Sequence, residues 1–269
     1  MATAFDLDAY LDRIGWNGGT DPTLDTLAGL LDAHMAAIPF ENLDVLLGRP
    51  PRLDLESLQE KVVRSRRGGY CFEQATLLAS ALEALGYRPS GHAARVTMFA
   101  PRTEVPRTHM FLVVPVGERA FVVDPGFGLL APRAPVPLSE GAEARFGADS
   151  FRMVREGPWW TLRVESEGRT VDAWASTLDA DNAMDFAMSN HWTATFPASP
   201  FVNRIMMRAL TPEGRVSVSN RDVTIVRGDE VRTTQLADRA ELRALVAGHF
   251  GFDLPEIERM RVPSVPEWA

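Results

Sequence analysis

The spacing of apolar residues changes along this chain, and that change limits the fold more than any other feature. From about residue 5 to residue 90, apolar residues recur at intervals of three and four, which is typical of amphipathic helices. From about 91 to 176 they form short alternating runs with turn residues between them, which is typical of a β-barrel or sandwich. After 177 the two patterns are mixed. The sequence therefore predicts an α+β protein.

The same patterns predict individual elements in the middle and C-terminal thirds. Strands are predicted over 93–99, 109–116, 120–124, 151–155, 160–165 and 170–175. A stretch rich in alanine and proline, 132–147, is predicted to be a surface loop. Beyond it, helices are predicted over 181–192 and 237–250, and strands over 201–210, 216–220, 223–226 and 231–234. The last residues, 263–269, are predicted to attach loosely.

The chain has a single cysteine, Cys71, and it stands where a turn enters a helix. Gly68 and Gly69 come shortly before it, and a helical pattern follows as far as Gly86. Glycines allow a tight turn and the close approach of a ligand, and a helix N-terminus favours negative charge. Such a position favours the thiolate, which is the reactive form of cysteine. A buried structural cysteine is the alternative, because free cysteine is among the most buried residue types.

A predicted hairpin supplies a histidine and an aspartate that could serve this cysteine. His109 begins one apolar run, and Asp124 ends the next after a turn at Gly117. In an antiparallel hairpin those two positions are neighbours. With Cys71 packed above that end of the sheet, the three side chains would form a Cys-His-Asp triad.

Composition argues against several other classes of protein. A net charge of −8 leaves no basic face for nucleic acid or anionic lipid. The first residues resemble no signal peptide, and no apolar run approaches the ~20 residues of a membrane span. One cysteine cannot form an intramolecular disulfide, so the cytoplasm is the expected location. No metal site is predicted, because the chain lacks an HExxH motif and paired histidines at helical spacing.

Taken together, several segments closely resemble the arylamine N-acetyltransferase family. They follow one another in family order at 10–15, 38–44, 67–74, 109, 124–128 and 199–202. Single motifs of this kind are weak, but several in order at fitting spacings over the whole chain are specific. Two positions depart from the pattern: Pro125 stands where the family usually has valine, and Ala75 where it often has asparagine.

The resemblance implies a fold with a cysteine-protease-like Cys-His-Asp core. A helical bundle over 1–90 would carry Cys71, and an antiparallel β-barrel over 91–185 would carry His109 and Asp124. A C-terminal α/β lid would cover 186–269. The implied activity moves an acetyl group from acetyl-CoA, through a Cys71 thioester, to an arylamine, arylhydrazine or N-hydroxyarylamine. Acetyl-CoA would be a co-substrate, and no tightly bound cofactor is expected.

The resemblance also implies a substrate pocket and a route for the donor. Aromatic walls suit a flat aromatic amine, and the implied pocket residues are Phe40, Tyr70, Val96, Phe127 and Phe201. The residues implied along the route of the pantetheine arm are Thr108, Gly126 and Gly128. Plain core packing is the alternative for each pocket residue. Glu41 and Arg67 are predicted to form an ion pair that holds the Cys71 loop.

Other functions remain open at this point. An amide synthase that closes a macrolactam on a carrier-bound polyketide would share the fold. A cysteine-dependent hydrolase, or an enzyme of the transglutaminase type, could use the same triad. A binding module without chemistry is disfavoured because all three triad residues are present. The sequence also leaves a homodimer open.

Overall fold

The computed structural model of the chain describes residues 5–268, apart from the side chain of Leu129. Its first third is helical, as predicted, and the helices are α1 (Leu7–Ile14), α2 (Leu24–Ala37), α3 (Leu43–Leu46), α4 (Leu55–Leu58) and α5 (Cys71–Ala84). A π-helical turn, Gln59–Arg64, extends α4. Asp6 and Thr23 cap the first two helices by accepting hydrogen bonds from backbone N–H groups. Gly15 ends α1 with a φ of +65°, which glycine adopts easily.

Eight strands of the described residues form an antiparallel sheet that curls into a nearly closed barrel. They are β1 (Ser90–Val96), β2 (Arg107–Val116), β3 (Arg119–Val123), β4 (Val136–Pro137), β5 (Glu143–Phe146), β6 (Asp149–Glu156), β7 (Trp159–Ser166) and β8 (Arg169–Ser176). The strand order is β4-β3-β2-β1-β8-β7-β6-β5, and β4 lies against β5 and β6 across the gap. The predicted barrel is confirmed. The predicted loop over 132–147 is wrong in part, because β4 and β5 fall inside it.

A second, smaller sheet occupies the C-terminal third. Its strands are β9 (Met206–Thr211), β10 (Gly214–Ser219), β11 (Asp222–Arg227) and β12 (Glu230–Gln235), joined as consecutive hairpins. The helices are α6 (Ala183–Thr195), α7 (Pro200–Asn203) and α8 (Arg239–Leu245), and a π-helical turn, Val246–Phe250, follows α8. The strand predicted to begin at Phe201 begins at Met206 instead, because Pro200 and the capping hydroxyl of Ser199 start a one-turn helix.

The apolar cores do not follow the three predicted domains. One core joins the helices to the β1–β2 hairpin, and another fills the barrel. The C-terminal core includes Leu43 and Leu46 from the helical third. Helix α6 also crosses the predicted boundary at 185. The division at 90 and 185 therefore stays a prediction. Within residues 5–268, none of the helices combines the length and apolar character needed to cross a membrane.

One short segment, Pro39 and Phe40, links the loop before Cys71 to the small sheet. Phe40 exchanges backbone hydrogen bonds of 2.8 and 2.9 Å with Arg208 of β9. On its other side it bridges Gly69, whose N–H donates to the Pro39 carbonyl at 3.2 Å. Gly68 must be glycine, since a Cβ there would lie 2.0 Å from the Pro39 carbonyl oxygen. The segment thereby positions the Cys71 loop between the helices and the small sheet.

Candidate active site

Cys71 is the first residue of α5, as the sequence predicted, and it is 3% exposed. Its sulfur lies 3.8 Å from the carbonyl oxygen of Thr108 on β2. Gly126 packs directly against it, since a Cβ on that glycine would come within 2.4 Å of the Cys71 Cα. The backbone N–H groups of the first helical turn have no acceptor within the helix. The sulfur is thus held at the positive end of the α5 dipole, next to the hairpin formed by β2 and β3.

His109 and Asp124 meet at the end of that hairpin. The register pairs Leu112 with Val123, which places Asp124 two residues along from His109 on the neighbouring strand. His109 Nε2 lies 2.8 Å from Asp124 Oδ2, and both side chains are almost fully buried. The predicted contact between them is confirmed. The Cys71 thiol also interacts with the ring and favours its charged form.

Asp124 is held by two further hydrogen bonds. The indole N–H of Trp174 on β8 donates to the same Oδ2 atom at 2.9 Å, and the Gly126 N–H donates to Oδ1 at 3.3 Å. The Trp174 ring is fully buried and stacks on Phe111 at 4.1 Å between centroids. No motif or spacing in the sequence indicates a role for Trp174. Its place beside Asp124 depends on β8 pairing with β1, which the alternating pattern does not specify.

The charge balance of this pair raises the pKa of His109. Burial by itself would lower that pKa, but the carboxylate of Asp124 and, to a lesser degree, Cys71 raise it to about 10. The imidazole therefore carries a proton at neutral pH. The Cys71 thiol thus has a positively charged imidazolium as a neighbour.

A buried group of five charged residues supports the loop before Cys71. Arg67 donates to Glu41 and to Asp44, both at 2.7 Å, so the predicted Glu41–Arg67 pair is confirmed. Lys61 binds Asp44 at 2.8 Å and Glu73 at 2.7 Å. Burial raises the pKa of Glu73 above its usual value, against the charge of Lys61. Glu73 also accepts from the N–H of Tyr70 at 3.1 Å, which ties this group to the start of α5.

The aromatic residues assigned to the substrate pocket differ in how deeply their side chains are buried. The rings of Phe40 and Phe201 lie 6.4 Å apart, and Phe127 packs edge-on against His109 at 4.9 Å. All three are half-buried, and Phe127 is the one in ring contact with a triad residue. Tyr70 is fully buried, its hydroxyl donates to Asn190, and its ring supports Phe201 at 5.3 Å.

The other assigned residues lie at the ends of strands and in the loop after Asp124. Val96 ends β1, opposite Trp174 in the register. Gly128 has a φ of +79°. A narrow cleft opens beside this loop, lined by Met35, Ile38, Phe40, Gln74, Pro125, Gly128, Arg208 and Leu210. Pro125, which departs from the family pattern, thus lies in the cleft wall together with Arg208, a residue that no motif in the sequence indicates.

Known proteins are similar to this chain in sequence. The sequence model of an N-acetyltransferase family matches residues 23–259. The arylamine N-acetyltransferase of Mycobacterium tuberculosis H37Rv is 36% identical, covering 94% of this chain and 92% of its own. The arylamine N-acetyltransferase / N-hydroxyarylamine O-acetyltransferase of Salmonella typhimurium is 33% identical, covering 94% and 90%.

Solved structures give the same result. The arylamine N-acetyltransferase of M. tuberculosis superposes with a TM-score of 0.88 at 35% identity, over 94% of this chain and 96% of that one. The Mycobacterium marinum arylamine N-acetyltransferase in complex with CoA superposes with a TM-score of 0.88 at 33% identity, over 94% of each chain.

Proposed function

The chain belongs to the arylamine N-acetyltransferase family, and from that premise we propose that Cys71, His109 and Asp124 transfer an acetyl group from acetyl-CoA to an aromatic amine. The observation that supports this assignment best is the 2.8 Å contact between His109 and Asp124, on the hairpin whose residue Thr108 lies 3.8 Å from the Cys71 sulfur. The complex of the M. marinum relative with CoA supports the choice of donor.

In the first half of the reaction, the Cys71 thiolate attacks the thioester carbonyl of acetyl-CoA. The bond between the acetyl carbon and the CoA sulfur breaks, and CoA leaves as a thiol with the proton that His109 held. Asp124 keeps the imidazole ring in one orientation and stabilises its charged form. Backbone N–H groups at the start of α5 are available to stabilise the oxyanion.

In the second half, the amine attacks the acetyl-Cys71 thioester while His109 accepts a proton from the amine nitrogen. The bond between the acetyl carbon and Sγ breaks, and the thiolate–imidazolium pair forms again. An amide is more stable than a thioester, so this half runs downhill. Phe127 supplies aromatic surface against His109 for the ring of the acceptor, and the neighbouring pair Phe40 and Phe201 would extend it. Arylhydrazines and N-hydroxyarylamines fit the same surface.

Two further expectations accompany this proposal. A nucleophilic Cys71 must remain a free thiol, which favours a reducing compartment such as the cytoplasm. The homodimer stays a prediction.

Intact-mass measurement of each half-reaction tests the proposal. The wild-type protein, mixed with acetyl-CoA alone, should gain one acetyl group and release one equivalent of CoA. Adding an arylamine should remove that group as the N-acetyl product. Cys71→Ser should do neither, because a serine alkoxide is far harder to form than a thiolate.

Two results would contradict the proposal. Continuous CoA release without amine would indicate a hydrolase instead. An acetyl group that no arylamine removes would indicate a different acceptor, such as a carrier-bound amine.

A further inference from the structure

Arg208 stands out among the cleft residues because its charge has no counter-ion. It lies on β9, and one guanidinium nitrogen, Nη1, donates to the backbone carbonyl of Gly128. Its Nε atom is buried and has no hydrogen-bond partner. Among the residues that the structure describes, no carboxylate lies within ion-pairing distance of this guanidinium.

The charged groups around Arg208 do not neutralise it. Arg133 and Arg215 act on it with like charge, and only Asp149 acts weakly with opposite charge. Both neighbouring arginines have carboxylate partners of their own. Arg133 binds Asp32 at 2.5 Å, and Arg215 binds Glu167 at 2.7 Å.

Arg208 lies in the same cleft wall as the loop that packs on the nucleophile. The cleft residues Pro125 and Gly128 lie on either side of Gly126, which touches Cys71. Gln74, another cleft residue, is one helical turn after Cys71 on α5. A ligand in this cleft would therefore lie next to the acyl-transfer site.

An unpaired buried cation is costly unless an anion compensates it. A guanidinium presents a planar set of donors that matches carboxylate and phosphate oxygens. We propose that Arg208 binds the anionic group of a substrate in this cleft, either the carboxylate of an acidic arylamine or a phosphate of the acyl donor. This inference rests on the proposed function and adds a residue that determines substrate specificity.

Arg208 keeps its charge in this setting. Burial first, and then Arg215 and Arg133, lower its pKa to about 10. That value still leaves the side chain protonated near neutral pH. An anion that binds beside it would raise the pKa again.

Matched pairs of substrates test the proposal and identify the source of the anion. The acceptors are 4-aminobenzoate and its uncharged amide, 4-aminobenzamide. The donors are acetyl-CoA and the acetyl thioester of N-acetylcysteamine, which has no phosphate. In Arg208→Met, KM should rise about tenfold or more for one anionic substrate and less than about twofold for its uncharged counterpart. A change with 4-aminobenzoate identifies the acceptor carboxylate, and a change with acetyl-CoA identifies the donor phosphate.

Control variants separate binding from folding. Arg208→Gln removes the charge but keeps a donor for the Gly128 carbonyl, and it serves if the methionine variant does not fold. Arg215→Met removes a nearby arginine that already has a partner. For both the acceptors and the donors, it should leave the ratio of KM for the anionic substrate to KM for its uncharged counterpart unchanged. If both KM ratios stayed within about twofold of wild type in a folded Arg208 variant, this inference would be overturned and the proposed function would remain intact. If the wild-type protein transferred acetyl from neither donor to either acceptor, the proposed function would fall, and this inference with it.

Discussion

Asp124 accepts hydrogen bonds from three groups: a histidine ring, an indole and a backbone N–H. Its Oδ2 atom receives both the His109 ring and the Trp174 indole, while Oδ1 receives the Gly126 N–H. A carboxylate held in this way cannot rotate without breaking several bonds. Its position therefore fixes the orientation of the His109 ring.

Replacing Asp124 by asparagine should lower kcat/KM by roughly 10²–10⁴, because the amide presents the wrong partner to the imidazole.

Trp174→Phe leaves the contact between His109 and Asp124 and removes one hydrogen bond to Oδ2. A loss of about tenfold in kcat/KM is expected, as for a hydrogen bond to a charged group. Steady-state kinetics with circular dichroism as the folding control measures both. If Asp124→Asn stayed within about threefold of wild type, Asp124 would not orient the histidine.

The raised pKa of His109 also predicts how stability depends on pH. The folded pKa of about 10 exceeds the reference value of 6.5, so the folded state binds this proton more tightly. The stabilisation is full below pH 6.5 and is lost as the pH rises towards 10. The difference in unfolding free energy between wild type and His109→Gln should therefore shrink between those values.

Urea titrations across that range would measure the effect. Asp124→Asn removes the charge that raises the pKa, so in that background His109→Gln should show a much flatter dependence. A difference that stays constant or grows with pH would contradict the assigned shift.

At the scale of elements, the loop after β3 and the start of α5 fit together without spare room. Gly126 is required where the two meet, because a Cβ would lie 2.4 Å from the Cys71 Cα. Gly126→Ala should push α5 and the loop apart and lower acyl transfer by at least about tenfold. Gly248→Ala is a matched control, since nothing lies within 4 Å of its Cβ position. Equal activities in the two variants would show that the spacing of loop and helix is not critical.

The buried charge group belongs to this scale too, because it joins α3, the π-helical turn and the Cys71 loop. Glu41 is 0% exposed in its side chain and binds both Arg67 and the Leu43 N–H. Glu41→Gln leaves Arg67 with Asp44 alone, so a loss of roughly 2–4 kcal/mol of stability is expected. The exposed pair Arg64–Glu60 is the control, and Glu60→Gln should leave Tm unchanged. An unchanged Tm in Glu41→Gln would mean that the pair does not stabilise the loop.

At the scale of the whole molecule, the C-terminal tail packs into the C-terminal core. The sequence pattern predicted a loose tail over 263–269, and the structure shows this to be wrong for residues 263–268; residue 269 lies outside the described residues. Val265 and Trp268 are buried, the Val262 N–H donates to the Trp268 carbonyl at 2.8 Å, and Arg239 lies over the Trp268 ring. The tail has no regular apolar period, so its burial could not be inferred from spacing.

Trp268→Ala should consequently destabilise the protein by about 3–5 kcal/mol, the usual cost of removing a large buried aromatic ring. Val231→Ala on the exposed strand β12 is the control, since that side chain is 65% exposed, and its effect should be small. Chemical denaturation gives both values. If the two variants were equally stable, the tail would not be part of the core.

The sequence by itself determined the parts of this protein that depend on local pattern. Helical and alternating periods gave the order of elements, and the glycines before Cys71 gave the helix entrance. The hairpin alone brought His109 to Asp124, because two strands joined by a short turn must pair.

Only the tertiary structure decided which distant residues complete the site. Trp174 reaches Asp124 through the pairing of β8 with β1, and Lys61 reaches Glu73 through the packing of two helices. Arg208 reaches the cleft through its backbone hydrogen bonds to Phe40, which is 168 residues earlier in the chain. Contacts over such separations depend on how whole elements pack, and the period of a single segment carries no information about its distant partners.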